Sequence, residues 1–543
     1  MAFLKRSLFK FKQLDNRGYF IVTFAIGLSL CLTVVEVMAW EPSRTTGLIS
    51  DCFDNDAPSE WISDTVCHDG SILWENNPVF LNCPQWNFDG GDCLSGSTWI
   101  PVSGPPVPSM AALDIAIIDM MAINNISAGA IGVMKDGCAD YLRFFGWSDE
   151  NRVEPLLPNS MMRIASVTKP LIAACIRQLI GDGSIHLEDS VFDLGQEGGG
   201  LLNITPFSGI GDRRLVDITV GHCLKHRAGW DRDIAGDHTY REIQIKQDYG
   251  QDPPPNREQT LAWIMSQPLQ FTPGTKKEYS NIGYLILGLI IEQYAGTNPL
   301  IFLYERVLGP IGVLQEEVEL GRSLPINRNS REPWYDNQGL QMSNVFATLD
   351  ELSSNPDNHL VPAPDGGWYQ EVRVGQGGLI ATPQALLKYL NHYRIAGDDI
   401  GLIRDKDEES TSWSLYHTGS FKRGTNAIAQ QWGDGYCFVA LFNKRNTSGD
   451  NYAITAKHIF RTLLNAGTIT MPYEQGNCNC TECGVGDITC DGVVDMVDLA
   501  ILAEHWLDET INSNDQSTLG ADINCDSAID LFDLRLLVFH WLQ

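Results

Sequence analysis

Basic residues are scarce. The 543-residue chain carries 38 Lys and Arg against 68 Asp and Glu, a formal net charge of −30. A surface of that sign repels nucleic acid and anionic lipid, which argues against both as partners. Long apolar runs are also missing, with one exception: Tyr19 to Val35 carries no charge. It sits at the short limit of the roughly 17–25 residues a membrane span needs. Lys5, Arg6, Lys10, Lys12 and Arg17 precede it, and Val37-Met38-Ala39 follows. This reads as a secretory signal over residues 1–39. The protein is therefore expected to be secreted, periplasmic or at the cell surface, with membrane attachment only if that segment stays uncleaved. Low apolar content is not among the deficits. Apolar residues make up 43%, enough for a large core, and the length allows roughly two to four domains.

Cysteine is plentiful and clustered. Apart from Cys31 in the signal, four lie at 52–93, four are scattered through 138–437 and five lie at 478–525. Export exposes them to oxidation, so most are expected to be paired. Composition divides the rest of the chain. A Cys-, Asp- and Trp-rich block spans 47–96. A Pro-rich stretch, 97–108, is expected to be a semi-rigid linker outside any core. A large block, 109–467, holds nearly all the periodic elements, and a Cys-containing linker, 468–485, leads to a repeat at 486–543.

The large block reads as α+β. Helical periodicity spans Met110 to Asn124, Leu171 to Ile180 and Tyr284 to Tyr294. Ala128 to Lys135 and Tyr141 to Gly146 read as a hairpin. Trp413 to His417, Thr425 to Gln431 and Tyr436 to Asn443 read as strands, the last two joined by Gly433-Asp434-Gly435.

Ser166-Val167-Thr168-Lys169-Pro170 carries the chemistry. Pro170 is tolerated only in a first helical turn, so a helix begins near Ser166 and exposes unpaired backbone N–H groups there. Lys169, three residues on, shares a face with Ser166. A serine needs a base, and a lysine with a lowered pKa can be one. Downstream, Tyr279-Ser280-Asn281 opens an apolar helix, and His417-Thr418-Gly419-Ser420 ends a strand. Gly419 would let a substrate backbone approach closely.

Together, S-x-x-K, Y-x-N and H/K-T-G in this order resemble the serine β-lactamase-related family of class C β-lactamases, DD-peptidases and esterases. Asp217 to Trp230 and Gly377-Gly378-Leu379-Ile380-Ala381-Thr382-Pro383 are similar to supporting segments of that family. The resemblance implies a class C β-lactamase/penicillin-binding-protein-like fold, an antiparallel sheet flanked by helices plus a helical region. It implies Ser166 as acylated nucleophile, Lys169 and Tyr279 as base and then acid, Asn281 orienting the acyl amide, and the Ser166 and Ser420 N–H groups holding the oxyanion. No catalytic cofactor is expected. His417 stands where many relatives have lysine. It is only partly charged at neutral pH and holds an anion less firmly, which favours an ester or D-amino-acid peptide substrate over a β-lactam. His222 and His226 are four apart on a helix, but lack an acidic third ligand nearby and read as structural.

At the C-terminus, Asp487, Thr489, Asp491, Val493, Asp495 and Asp498 occupy calcium-loop positions. Asp522, Asn524, Asp526, Ala528, Asp530 and Asp533 repeat the spacing. Both loops run into apolar helices ending His-Trp-Leu. The pair resembles a type I dockerin, an all-α calcium-binding module with a cohesin-like partner. Ser527 replaces the loop glycine in the second copy, and Cys490 and Cys525 at matching positions are expected to form a disulfide. In the first block, Asp89-Gly90-Gly91-Asp92-Cys93 resembles a Lin-12/Notch repeat, a small disulfide-rich module with Asp89 and Asp92 as calcium ligands, though with four cysteines where that family has six. The expected activity is an exported acyl-transfer hydrolase. A β-lactamase proper and a calcium-dependent scaffold with an inactive hydrolase fold are the alternatives.

Overall fold

The structure is a computed structural model and describes residues 48–50, 56–61, 69–74, 77–81, 100–354, 359–404, 413–445, 451–471 and 496–504. The chain divides into two units, Met1–Ser97 and Thr98–Gln543. In the first, Leu48–Ser50 pairs with Asp56–Pro58, and Asp69–Trp74 with Asn77–Phe80, both antiparallel. Ile49, Ala57, Val79 and Leu81 form its small buried cluster. The signal segment, the four cysteines of this unit, Asp89 and Asp92 lie outside the described residues.

The second unit is organised by a six-stranded antiparallel sheet. Its strands are β1 (Val102–Ser103), β2 (Ala128–Lys135), β3 (Cys138–Gly146), β4 (Ser414–Phe421), β5 (Thr425–Trp432) and β6 (Tyr436–Phe442). They lie in the order β4-β5-β6-β2-β3-β1. Side chains alternate between faces. Ile131, Val133, Ile428, Phe438 and Ala440 pack in one layer with helices α1 (Ala111–Ile123) and α5 (Tyr452–Asn465). Ala130, Met134, Ala427, Ala429, Val439 and Leu441 belong to the larger core on the other face. That core contains α2 (Thr168–Gly181), α3 (Asn281–Ala295) and α4 (Pro383–His392). Burial on both faces explains why β6 is apolar at every position and lacks polar alternation. Among the described residues no single helix is long and apolar enough to cross a membrane.

Two expectations need correction. Residues 100–108 of the Pro-rich stretch belong to the fold. Val102–Ser103 pairs with Phe144–Phe145, and Ile100 is buried in the layer with α1 and α5. Proline is tolerated there because an edge strand leaves one side of its backbone unpaired. The linker 468–485 starts too early, since Ile469 and Met471 are buried in the same layer. Cys175, Cys223 and Cys437 are free and buried, which is compatible with pairing of most of the other cysteines. These three sit on separate elements and pack as small apolar groups. Cys490 and Cys525 lie outside the described residues. Of the calcium-loop residues only Asp498 falls on a described element, the helix Met496–Glu504.

Candidate active site

The turn that carries Ser166 is built from both sides. Upstream, Met162–Arg163 forms a short buried strand. The Arg163 guanidinium is fully buried and donates to Glu332 Oε1 at 3.2 Å, Pro364 O at 3.1 Å and Arg322 O at 2.8 Å. The Arg163 backbone N–H donates to Tyr335 Oη at 2.8 Å. These bonds tie the long irregular segment 315–372 to the residues just before Ser166. Downstream, a 3₁₀ turn over Ala165–Val167 runs directly into α2. Pro170 is the third residue of that helix, within the first turn as its chemistry requires. Ala165 has φ +45°, a left-handed conformation that strains a residue bearing a Cβ.

Gly419 on β4 packs against this turn. A methyl there would overlap the Ile164 carbonyl oxygen and lie 3.1 Å from the Ser166 nitrogen. The glycine therefore admits the backbone of Ile164 and Ser166, where close approach by a substrate had been expected. The consequence is that the Gly419–Ser420 segment lies against the Ser166 N–H.

Ser166 is half-buried and Lys169 fully buried. Lys169 Nζ lies 2.9 Å from Ser166 Oγ and donates to Gln376 O at 2.5 Å. Tyr279 Oη donates to Ser166 Oγ at 2.7 Å. Burial holds the Lys169 pKa well below the ordinary lysine value. Asp237 opposes that shift, while Arg232 and Arg373 add to it. Burial raises the Tyr279 pKa, against the lowering influences of its bond to Ser166 and of Arg232. The two shifts favour an uncharged amine and a protonated phenol.

Tyr279 precedes Ser280, the N-cap of α3, whose hydroxyl accepts from Ile282 N–H at 3.2 Å. His226 Nδ1 accepts from Ser280 N–H at 3.3 Å, and its ring lies 4.6 Å from that of Tyr279. Burial, with the nearby Lys169 and His417, pushes the His226 pKa down to about 3, so it remains a neutral acceptor. His222 Nδ1 accepts from Thr219 N–H and closes a capping box. Both histidines are thus engaged in holding backbone. His417 Nδ1 lies 2.9 Å from Thr418 O, which requires a proton on Nδ1 and leaves Nε2 as the acceptor. Burial first, then Lys169, pushes its pKa down to about 4. His417 is uncharged at neutral pH, where partial charge had been expected.

Asn281, the first residue of α3, is 9% exposed. Its Nδ2 donates to Asp237 Oδ2 at 2.5 Å, and its Oδ1 has no partner. Asp237 comes from the short turn Asp237–Tyr240, where its Oδ1 accepts from the backbone N–H and the hydroxyl of Thr239. Arg232 lies 4.7 Å from the Tyr279 ring centroid. Arg373 is paired with Glu242. The sequence reading missed Asp237, Arg232, Arg373 and the Gln376 carbonyl. Only Gln376 had a signal, since it directly precedes Gly377-Gly378.

Residues 113–450 match the family described as Beta-lactamase, and residues 485–539 match the Dockerin type I domain. Esterase EstB of Burkholderia gladioli is 27% identical over 214 residues, 38% of this chain and 50% of the esterase. The D-alanyl-D-alanine-carboxypeptidase/endopeptidase AmpH of Escherichia coli is 21% identical over 304 residues, 55% of this chain and 67% of AmpH. The chain spans about a third to two thirds of the length of these and other curated relatives it matches. Among solved structures, the octameric penicillin-binding protein homologue from Pyrococcus abyssi aligns over 66% of this chain and 77% of its own. That alignment has 21% identity and a TM-score of 0.45.

Proposed function

This chain belongs to the beta-lactamase family through residues 113–450, and from that premise we propose a serine hydrolase that works through an acyl-enzyme on Ser166. The observation that carries the reading is the contact set of Ser166 Oγ, 2.9 Å from Lys169 Nζ and 2.7 Å from Tyr279 Oη. Uncharged Lys169 takes the Ser166 proton as Oγ attacks the substrate carbonyl carbon. The backbone N–H groups of Ser166 and Ser420 receive the developing oxyanion. As the carbonyl re-forms, the leaving group departs with a proton relayed from Lys169 through Tyr279. Water then attacks the acyl-Ser166 ester, with the same pair accepting its proton, and Ser166 is regenerated.

The substrate is an ester or a D-amino-acid peptide. Relatives that include an esterase and a D-alanyl-D-alanine-carboxypeptidase support that range. The neutral His417 weighs against a β-lactamase proper, because it supplies no fixed charge for a substrate carboxylate. A fluorophosphonate or fluorescent penicillin should label the protein covalently, and Ser166→Ala should abolish the label. An unlabelled wild-type protein would favour the inactive scaffold.

The reading extends to the ends of the chain. The C-terminal module takes calcium on Asp487, Asp491, Asp495, Asp498 and their repeat, hard oxygen donors of the kind calcium requires, and joins a cohesin-like partner. Export of the chain and a calcium-binding, disulfide-knit 47–96 block complete the proposal.

A further inference from the structure

The acyl side of the site carries a carboxylate that no motif announced. Asp237 is half-buried, and no ammonium or guanidinium lies within ion-pair distance of it among the described residues. Among the described residues its three hydrogen bonds come from the Thr239 N–H, the Thr239 hydroxyl and Asn281 Nδ2. A carboxylate offers about four acceptor positions, so one remains open on the oxygen facing Asn281. Asn281 is two residues from Tyr279, whose phenol touches the nucleophile.

The bond to Asp237 changes what Asn281 can do. A carboxylate accepts only, so the amide must turn its NH₂ toward Asp237. That NH₂ has two N–H groups and Asp237 holds one, so a substrate acyl-amide carbonyl can reach only the other, beside a carboxylate that attracts a cation more strongly than a carbonyl. The cationic neighbours act on this carboxylate only at longer range than an ion pair. Arg373 is committed to Glu242, Lys169 is held toward its neutral form, and Arg232 is exposed against the Tyr279 ring.

Resting on the serine hydrolase reading above, we infer that Asp237, backed by Asn281, is the receptor for a positively charged α-amino group on the acyl part of the substrate. Aminoacyl esters, amides and peptides with a free N-terminus bind there. N-acylated counterparts, which bring a carbonyl and no charge, are disfavoured.

The test compares D-alanine p-nitroanilide with N-acetyl-D-alanine p-nitroanilide on the full chain. The free amine should be favoured at least tenfold in kcat/KM. Asp237→Asn should cut that ratio at least tenfold, mainly through KM of the free-amine substrate, and Asp237→Glu should restore part of it. Thermal melting identifies any variant that fails to fold, and in that case the wild-type ratio alone decides. Equal wild-type rates on the two substrates, with Ser166 still labelled by fluorophosphonate, would overturn this inference and leave the hydrolase reading standing. Loss of selectivity through kcat alone in Asp237→Asn would also overturn it, by showing that Asp237 acts through Lys169. No label and no turnover would overturn both.

Discussion

At the residue scale the chemistry depends on where protons reside. The proposed mechanism needs Lys169 uncharged, and burial holds its pKa well below the ordinary value of about 10.4. The pH profile of kcat/KM should therefore rise through that lowered value and flatten above it. A limb still climbing at pH 10 would show that the amine rests charged. His417 bears on stability in the same direction. Its folded pKa of about 4 lies below the unfolded value of about 6.5. Between these values the unfolded chain binds more protons, so stability is complete above about pH 6.5 and falls as pH drops toward 4. The loss is on the order of 3 kcal/mol, and His226 adds to it in the same sense. Thermal melting across this window should show the decline, and His417→Asn should shrink it. Gly419→Ala is the sharpest steric test. Pushing β4 off the Ile164 carbonyl should misplace an oxyanion donor and lower kcat by about 10²-fold or more.

At the element scale the site depends on segments that have no periodicity. Arg163→Met would strand Glu332, whose side chain is fully buried. Breaking such a pair costs about 3–5 kcal/mol, and the melting temperature should fall accordingly. Arg163→Met with Glu332→Leu should recover much of the loss. The regular elements were legible because burial writes itself into spacing. The periodic run from Leu171 predicted α2, and the apolar run from Tyr436 predicted β6. The Ser–Lys–Tyr set was legible because Pro170 fixes the helix start and Tyr279 opens the next helix. Asp237 was not, since it is one of many loop aspartates. What distinguishes it is a bond to Asn281, far along the chain, and no local pattern encodes that. His417 was found, but its lack of charge comes first from burial, which only the folded arrangement supplies.

At the scale of the whole molecule, the hydrolase domain is longer than composition suggested. Ile100 and strand Val102–Ser103 join it at one end, and Ile469 and Met471 at the other. Chains beginning at Thr98 should melt at a higher temperature than chains beginning at Ser109. The shorter form loses the buried Ile100 side chain, about 1.5–3 kcal/mol for a large aliphatic group, and bares the edge of β3. Equal melting would return that stretch to the status of a tether. The sheet itself joins distant parts of the sequence: β2 pairs with β6, so that Lys135 lies opposite Tyr436. Gly419, which seats the nucleophile turn, also arrives late. A ribosome that has delivered Ser166, Lys169 and Tyr279 has still not delivered the strand that holds them in register. On the proposed mechanism the half-synthesised polypeptide should therefore lack activity until β4 seats the Ser166 turn.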